Sequence, residues 1–103
     1  MDVNEKIRYI RDHTDNIGLY IQMAEEAAEL VHAALKVTRI LYGRRPTPVT
    51  LTDALRNVNE EYSDLKMVMM ILGKEDSTQY KPEKLDRWVE RLQKMNRSEI
   101  PTS

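Results

Sequence analysis

The chain has 103 residues, of which 41% are apolar and 32% charged, and its formal net charge is −1. This length supports one small domain, and the near-neutral charge offers no polycationic surface for nucleic acid or an anionic membrane. The absence of Cys excludes disulfides, thiolate zinc sites and Cys nucleophiles, and it suits a reducing cytoplasm. No apolar run approaches the roughly 18 residues of a membrane span, and the polar start is not a signal peptide. We therefore expect a cytoplasmic protein that binds neither nucleic acid nor membrane.

Apolar residues recur at helical spacing along most of the chain, whereas strand signals are few. A short first helix is predicted around Ile7. The polar cluster at 12–16 ends this helix and supplies the N-cap of the next one. A second helix of about 25 residues is predicted from Ile17 to Tyr42, and Gly43 stops it.

A third helix is predicted to begin at Thr50, which resembles the first residue of a capping box, and to end at Gly73. After a polar linker, Pro82 opens a last helix with one apolar stripe. The sequence therefore predicts an all-α fold. We expect one domain over residues 1–96 and a flexible tail over 97–103.

The second half of the third helix is apolar nearly all round. Met67 and Met70 lie away from the face that carries Leu65 and Leu72, which leaves a second apolar surface. A helix that is apolar on every side is expected only where it is buried on every side. We therefore expect a homo-oligomer, most simply a two-fold dimer. The alternative is that these methionines fill space under the loop after the second helix.

Two pairs of carboxylates at helical spacing are the strongest functional signal. Glu26 and Glu29 share a sector of the second helix with Glu25, and Glu61 and Asp64 fall on the apolar stripe of the third. We expect the second pair to point inward, where acids need a metal, a partner or a proton. If the two helices pack antiparallel, the pairs converge, and hard oxygen donors favour Mg²⁺ or Mn²⁺. Taken alone, the glutamates of the second helix would indicate a solvated face.

A di-iron site is a competing interpretation. Glu29 and His32 form one E-x-x-H step of the kind that ferritin-like bundles use. Such a site needs a second step, but the facing helix offers Glu61 and Asp64, and His13 has no Glu three residues before it. His32 is better explained as a partly exposed helix residue.

The last helix carries a basic stripe beside its apolar stripe, with Lys84, Arg87, Arg91 and Lys94 as members. Guanidinium groups match phosphate oxygens bidentately and lysines add point charge, so phosphate is the favoured anion. Lys36 follows the glutamates of the second helix and could join them. The alternative is a solvated face with ion pairs inside the helix. We expect Trp88 to lie in the core rather than to stack on a base.

Three segments carry motifs that occur together in one known family. Residues 22–30 contain E-E-x-x-E, residues 59–65 contain E-x-x-D, and residues 84–92 contain K-x-x-R. In this combination the chain resembles the MazG-like all-α nucleoside triphosphate pyrophosphohydrolases over most of residues 17–95. The resemblance implies a four-helix bundle with two long antiparallel helices. It also implies completion by oligomerisation, as a homodimer or a homotetramer.

The resemblance also implies residue roles. It assigns four magnesium ligands, Glu26, Glu29, Glu61 and Asp64. It makes Glu25 a further ligand or the base that activates water. It assigns three phosphate-binding residues, Lys36, Lys84 and Arg87. The residues that read the base vary among relatives and stay unassigned, with Asn57, Tyr20 and Trp88 as candidates.

Two function hypotheses follow. In the first, the chain hydrolyses a (deoxy)nucleoside triphosphate to the monophosphate and pyrophosphate with Mg²⁺, and water activated by the metal attacks the α-phosphorus. In the second, the chain is a non-catalytic helical interaction or regulatory protein whose acidic residues form a structural cation site. Pyrophosphate release from a panel of triphosphates separates the two.

Overall fold

The computed structural model of the chain describes residues 1–43, 48–74 and 81–99. Within these residues every regular element is a helix, and there are four: α1 (Val3–His13), α2 (Asn16–Tyr42), α3 (Leu51–Ile71) and α4 (Pro82–Glu99). The predicted all-α class and the four predicted helices are therefore confirmed. The centres of the two predicted loops, at 44–47 and 75–80, lie outside the described residues. Of the predicted tail, 97–99 continue α4 and 100–103 lie outside the described residues.

Local hydrogen bonds set the start of each of the first three helices. The N-caps are Asp2, Asp15 and Thr50. The Asp15 carboxylate accepts a hydrogen bond of 2.6 Å from the backbone N–H of Gly18, which satisfies a donor that has no partner inside the helix. A Cβ on Gly18 would lie 3.0 Å from this oxygen. The missing side chain therefore lets the cap approach closely.

The end of α3 is closed by a Schellman motif and by a side chain from α1. Gly73 takes a left-handed conformation with φ of 73°. The N–H groups of Gly73 and Lys74 donate to the carbonyl oxygens of Met70 and Met69, both at 2.9 Å. The Ile71 carbonyl at the same end accepts a 2.9 Å hydrogen bond from another part of the chain, the Nε of an arginine in α1. The last turn of α3 is therefore an attachment point for α1.

The core lies mainly between α2 and α3, and α1 packs against α3. Its buried apolar residues are Leu19, Ala33, Ala54, Val68 and Ile71. Leu19 near the start of α2 lines the same groove as Val68 and Ile71 near the end of α3. The two long helices therefore run antiparallel. Ala33 and Ala54 are only 2% and 1% exposed, so small side chains fill the other end of the interface.

In the part of the chain that the structure describes, α4 contacts none of the other three helices. Trp88 is 59% exposed, so the prediction that it lies in the core is wrong. The cause is that helical spacing identifies an apolar stripe but not the surface that covers it. The chain is also less compact than a typical domain of this length: its radius of gyration is 19.3 Å, whereas a compact chain would have about 13 Å.

None of the described helices has the length and apolar character needed to cross a membrane.

Candidate metal centre

Three carboxylates converge where α2 crosses the middle of α3. Glu26 of α2 and Glu61 and Asp64 of α3 each offer an oxygen, and these three oxygens lie within 4.8 Å of one another. Glu61 and Asp64 are neighbours because residues three apart lie on the same side of a helix. The antiparallel packing then places Glu26 opposite both. The spacing of these acids in the sequence predicts this convergence, and the structure brings together three of the four predicted metal ligands.

The three side chains differ in exposure. Glu26 and Glu61 are half-buried, whereas Asp64 is exposed. The expectation that both acids of α3 point inward is therefore wrong for Asp64. The last described helix, α4, contacts neither α2 nor α3 and so does not cover Asp64. The site is open to a ligand that approaches from outside the helix pair.

The electrostatic environment disfavours an ionised Glu61. Partial burial, followed by the negative charges of Asp64, Glu29, Glu26 and the adjacent Glu60, raises the pKa of Glu61 above its ordinary value of 4.5. A bound cation would reverse this effect, since it would replace repulsion between carboxylates by attraction to a common positive charge. The surrounding carboxylates therefore repel an ionised Glu61.

A hydrogen bond that the sequence analysis did not identify orients one of the carboxylates. The side-chain amide of Gln22 donates to Oε1 of Glu26 at 2.8 Å. Gln22 lies one turn before Glu26 on α2, and the i,i+4 spacing of an amide and a carboxylate is the sequence signal that points to it. The amide therefore restrains one of the two Glu26 carboxylate oxygens.

The other predicted site residues on α2 lie near this group but outside it. Glu29 is exposed, and its negative charge contributes to the raised pKa of Glu61. Glu25 is exposed, and Lys36 is half-buried further along the same helix. Glu29 stays the predicted fourth ligand, Glu25 the predicted base or further ligand, and Lys36 a predicted phosphate-binding residue.

The remaining predicted residues do not meet the group in the described structure. Lys84 and Arg87 lie on α4, which contacts none of the first three helices. Among the base-reading candidates, Tyr20 is 44% exposed, Asn57 is half-buried, and Trp88 lies on α4. None of these is part of the acidic group, and their predicted roles also stay predictions.

An open groove of about 980 Å³ runs from the acidic group towards the junction of α1 and α2. Glu26 and Asp64 form part of one wall, and Leu19, Val68 and Ile71 supply apolar lining. At the far end the lining is polar, from Asp12, His13, Thr14 and Asp15. The sequence analysis assigned these last residues only to the end of one helix and the cap of the next. The sequence signal for the groove was that these polar residues lie between two predicted helices, where a groove between the helices can form.

The donor set fits a hard divalent cation. All three converging side chains are carboxylates, which Mg²⁺ and Mn²⁺ prefer, whereas zinc and copper sites usually recruit His or Cys. Within the described residues this is the single group of three or more His, Asp or Glu side chains that converges. His32 is exposed and outside the group, so the geometry gives the di-iron interpretation no support.

No protein-family model, curated protein or solved structure matches this chain. The resemblance to the MazG-like proteins therefore rests on the three sequence motifs.

Proposed function

We propose that the chain is a magnesium-dependent pyrophosphohydrolase of (deoxy)nucleoside triphosphates, and that Mn²⁺ can replace Mg²⁺. The observation that carries the proposal is the convergence of Glu26, Glu61 and Asp64 from two helices within 4.8 Å. A solvated acidic face would spread its charges apart. Here two helices bring three of them together, and the negative charges around Glu61 help to raise the pKa of its carboxyl group. Binding a cation is the function that best accounts for this arrangement.

In the proposed reaction, a water oxygen forms a bond to the α-phosphorus while the bond from that phosphorus to the bridging α–β oxygen breaks. The products are the monophosphate and pyrophosphate. A bound Mg²⁺ would neutralise phosphate charge and lower the pKa of water. Glu26, Glu61 and Asp64 would hold the cation, with Glu29 as the proposed fourth ligand. The exposed carboxylate of Glu25, next to Glu26 on α2, is the proposed acceptor of the water proton.

The groove beside the carboxylates supports a nucleotide substrate. Its volume of about 980 Å³ is at the upper end of the range of roughly 300–1,000 Å³ for small-molecule sites. The triphosphate would lie at the end formed by Glu26 and Asp64, because phosphates bind to a cation held there. The nucleoside would then extend along the lining of Leu19, Val68 and Ile71, which is apolar enough to contact a base.

The test is a panel of ribo- and deoxyribonucleoside triphosphates incubated with Mg²⁺, with pyrophosphate as the readout. We expect release with at least one of them and its loss in Glu61→Gln, which keeps the shape of the side chain but removes the charge. Glu60→Gln is the matched control, because Glu60 is adjacent in sequence, exposed and outside the converging group. If no nucleotide yields pyrophosphate and Mg²⁺ does not bind, the proposal is wrong.

A non-catalytic interaction protein is the second candidate. One observation favours it: large apolar side chains are exposed along α2 and α4, among them Val31 at 55%, Leu35 at 48% and Trp88 at 59%. Exposed apolar surface of this extent indicates a protein contact. The two candidates differ in whether Mg²⁺ supports turnover, since a structural cation would stabilise the fold without releasing pyrophosphate.

A further inference from the structure

The far end of the groove lies where α1 meets α2, and we call it the junction. Its polar side chains are those of Asp12, His13, Thr14 and Asp15. Asp15 caps α2, and Glu26 follows it by about three turns, which separates the two residues by roughly 16 Å along the helix axis. An extended nucleotide with its phosphates beside Glu26 can therefore reach the junction with its base.

Two contacts hold His13 in one orientation although its side chain is exposed. Its ring stacks on that of Tyr9, with 3.9 Å between the ring centroids and an angle of 20° between the planes. Its Nδ1 lies 2.7 Å from the carbonyl oxygen of Tyr9. A carbonyl oxygen can only accept a hydrogen bond, so Nδ1 carries the hydrogen and donates it. In the neutral ring Nε2 is therefore an acceptor.

The other polar side chains of the junction are acceptors as well. The Thr14 hydroxyl donates its hydrogen to the carbonyl oxygen of Ile10 at 2.6 Å, which leaves lone pairs on the hydroxyl oxygen. Asp15 accepts from the N–H of Gly18 through Oδ1. Ionised carboxylates such as those of Asp15 and Asp12 have no hydrogen to donate. The junction therefore presents four side chains that accept hydrogen bonds.

Side-chain donors are scarce along the rest of the groove. Among the described residues that line it there is no Lys or Arg, and the amide of Gln22 is the side-chain donor nearest to the acidic group. One hydrogen of that amide already goes to Glu26. A ligand that brings N–H groups can form hydrogen bonds here, whereas a ligand that brings carbonyl oxygens meets acceptors and forms none.

The junction is attached to the apolar floor of the groove. Arg11, two residues before His13, donates through Nε to the carbonyl oxygen of Ile71 at 2.9 Å. Ile71 and Val68 line the groove and are only 6% and 5% exposed, so they form a packed surface on which a base can lie. The acceptors are therefore held in place before a ligand arrives, which lowers the entropy cost of recognition.

We propose that the junction recognises the nucleobase and selects bases that carry an exocyclic amino group, which are cytosine, adenine and guanine. This inference rests on the proposed function, which places the phosphates beside Glu26 and Asp64 and hence the base at the other end of the groove. The amino group of the base would donate to Nε2 of His13 and to the carboxylate of Asp12. Uracil has a carbonyl oxygen in place of the amino group of cytosine, and hypoxanthine lacks the amino groups of adenine and guanine.

Binding of nucleotides that resist hydrolysis tests the inference without turnover. The probes are the α,β-imido analogues of dCTP and dUTP, and those of dATP and dGTP compared with dITP, each titrated with Mg²⁺ present. Because the junction is exposed and water competes for its acceptors, we expect the amino member of at least one comparison to bind roughly tenfold more tightly. Equal affinities, tighter binding of the members without the amino group, or no binding of any analogue would overturn the inference.

His13→Asn identifies the acceptor. The asparagine amide can still donate to the carbonyl oxygen of Tyr9, but the acceptor at Nε2 is lost, so the preference for the amino base should fall to roughly threefold or less. His32→Asn is the matched control, because the other histidine of the chain is exposed on α2 and does not line the groove. It should keep the wild-type preference.

Asp12→Asn provides a second and independent variant. It replaces a carboxylate, which only accepts, by an amide that also donates, so it too should lower the preference for the amino base. Asp86→Asn makes the same change at an exposed position on α4 and should have no effect. An unchanged preference in both His13→Asn and Asp12→Asn would show that the junction does not recognise the base.

Turnover distinguishes this inference from the proposed function. If pyrophosphate is released from dUTP and dITP as efficiently as from their amino counterparts, base selection at the junction is wrong and the proposed hydrolysis stands. If the amino analogues bind more tightly but no nucleotide yields pyrophosphate, the proposed hydrolysis is wrong and base selection stands. Faster release from the amino nucleotides, with a smaller preference in His13→Asn, supports both.

Discussion

Gln22 holds Glu26 by a 2.8 Å hydrogen bond from its side-chain amide, one helical turn before the point where Glu26 meets α3. This bond fixes one oxygen of a carboxylate that is only half-buried and would otherwise rotate. Loss of a partner that orients a metal ligand typically lowers metal affinity by roughly 10- to 100-fold. Gln22 is therefore a positioning residue of the candidate metal centre.

Gln22→Ala should weaken Mg²⁺ binding by about tenfold, because Glu26 loses the partner that orients it. Isothermal titration of the metal measures this directly, without dependence on turnover. Gln93→Ala is the control, since Gln93 is exposed on α4 and contacts no part of the acidic group. Equal affinities for wild type and Gln22→Ala would show that Glu26 needs no orienting partner.

Arg11→Ala should release α1 from the rest of the protein. Arg11 donates through Nε to the carbonyl oxygen of Ile71 at 2.9 Å and through Nη2 to that of Met70 at 3.4 Å. The loss is expected to cost about 1 kcal/mol, because the bonds are charge-assisted but partly exposed. Hydrogen exchange should accelerate in α1 and stay unchanged in the middle of α2.

The matched control for this change is Arg8→Ala, which removes another exposed arginine from the same helix. If both variants speed exchange in α1 equally, the cause is helix propensity or net charge, and the tether from Arg11 to α3 contributes nothing.

Ala33→Leu should destabilise the protein by about 1–3 kcal/mol through overpacking. Ala33 is 2% exposed in the interface between α2 and α3, so a larger side chain must push the helices apart. Urea unfolding measures the change in free energy. Ala34→Leu makes the same substitution at the next position, which is exposed, and should have almost no effect. A similar loss at both positions would contradict the close packing at Ala33.

The helix boundaries were predictable because their signals are local. Thr50 and Asp15 each cap a helix by accepting a hydrogen bond from the backbone N–H three residues later. Gly43 and Gly73 take left-handed conformations that end the helices before them. The convergence of carboxylates was predictable for a related reason. Spacing fixes which residues share a side of α3, and antiparallel packing of two long helices follows from the short connection between them.

Other features depend on contacts that no local pattern contains. The bond from Arg11 to Ile71 joins residues 60 positions apart. The exposure of Trp88 depends on where α4 lies, and that of Asp64 depends on whether a further helix covers α2 and α3. Periodicity shows that a helix has an apolar side, but the energy of burial is the same for any apolar partner. Sequence alone therefore left the partner of α4 open.

Glu61→Gln should make the metal-free protein more stable at neutral pH than wild type. Burial and the surrounding carboxylates raise the pKa of Glu61 above 4.5, so the folded state holds this proton more tightly than the unfolded state does. The stabilisation is fully present below the unfolded pKa, and wild type loses it as the pH rises through the raised folded value. The glutamine variant stays neutral throughout, so its melting temperature should exceed that of wild type increasingly across this window.

Magnesium should reverse this order. Wild type gains stability by binding the cation in the folded state, whereas Glu61→Gln lacks one charged ligand and gains less. Melting curves from pH 4 to 8 with and without Mg²⁺ check both predictions. Glu90→Gln is the control, because it changes the net charge equally at an exposed position on α4, away from the acidic group. A variant less stable than wild type without metal would show that the Glu61 carboxylate is not repelled by its neighbours, and the main electrostatic argument for a cation at this site would be lost.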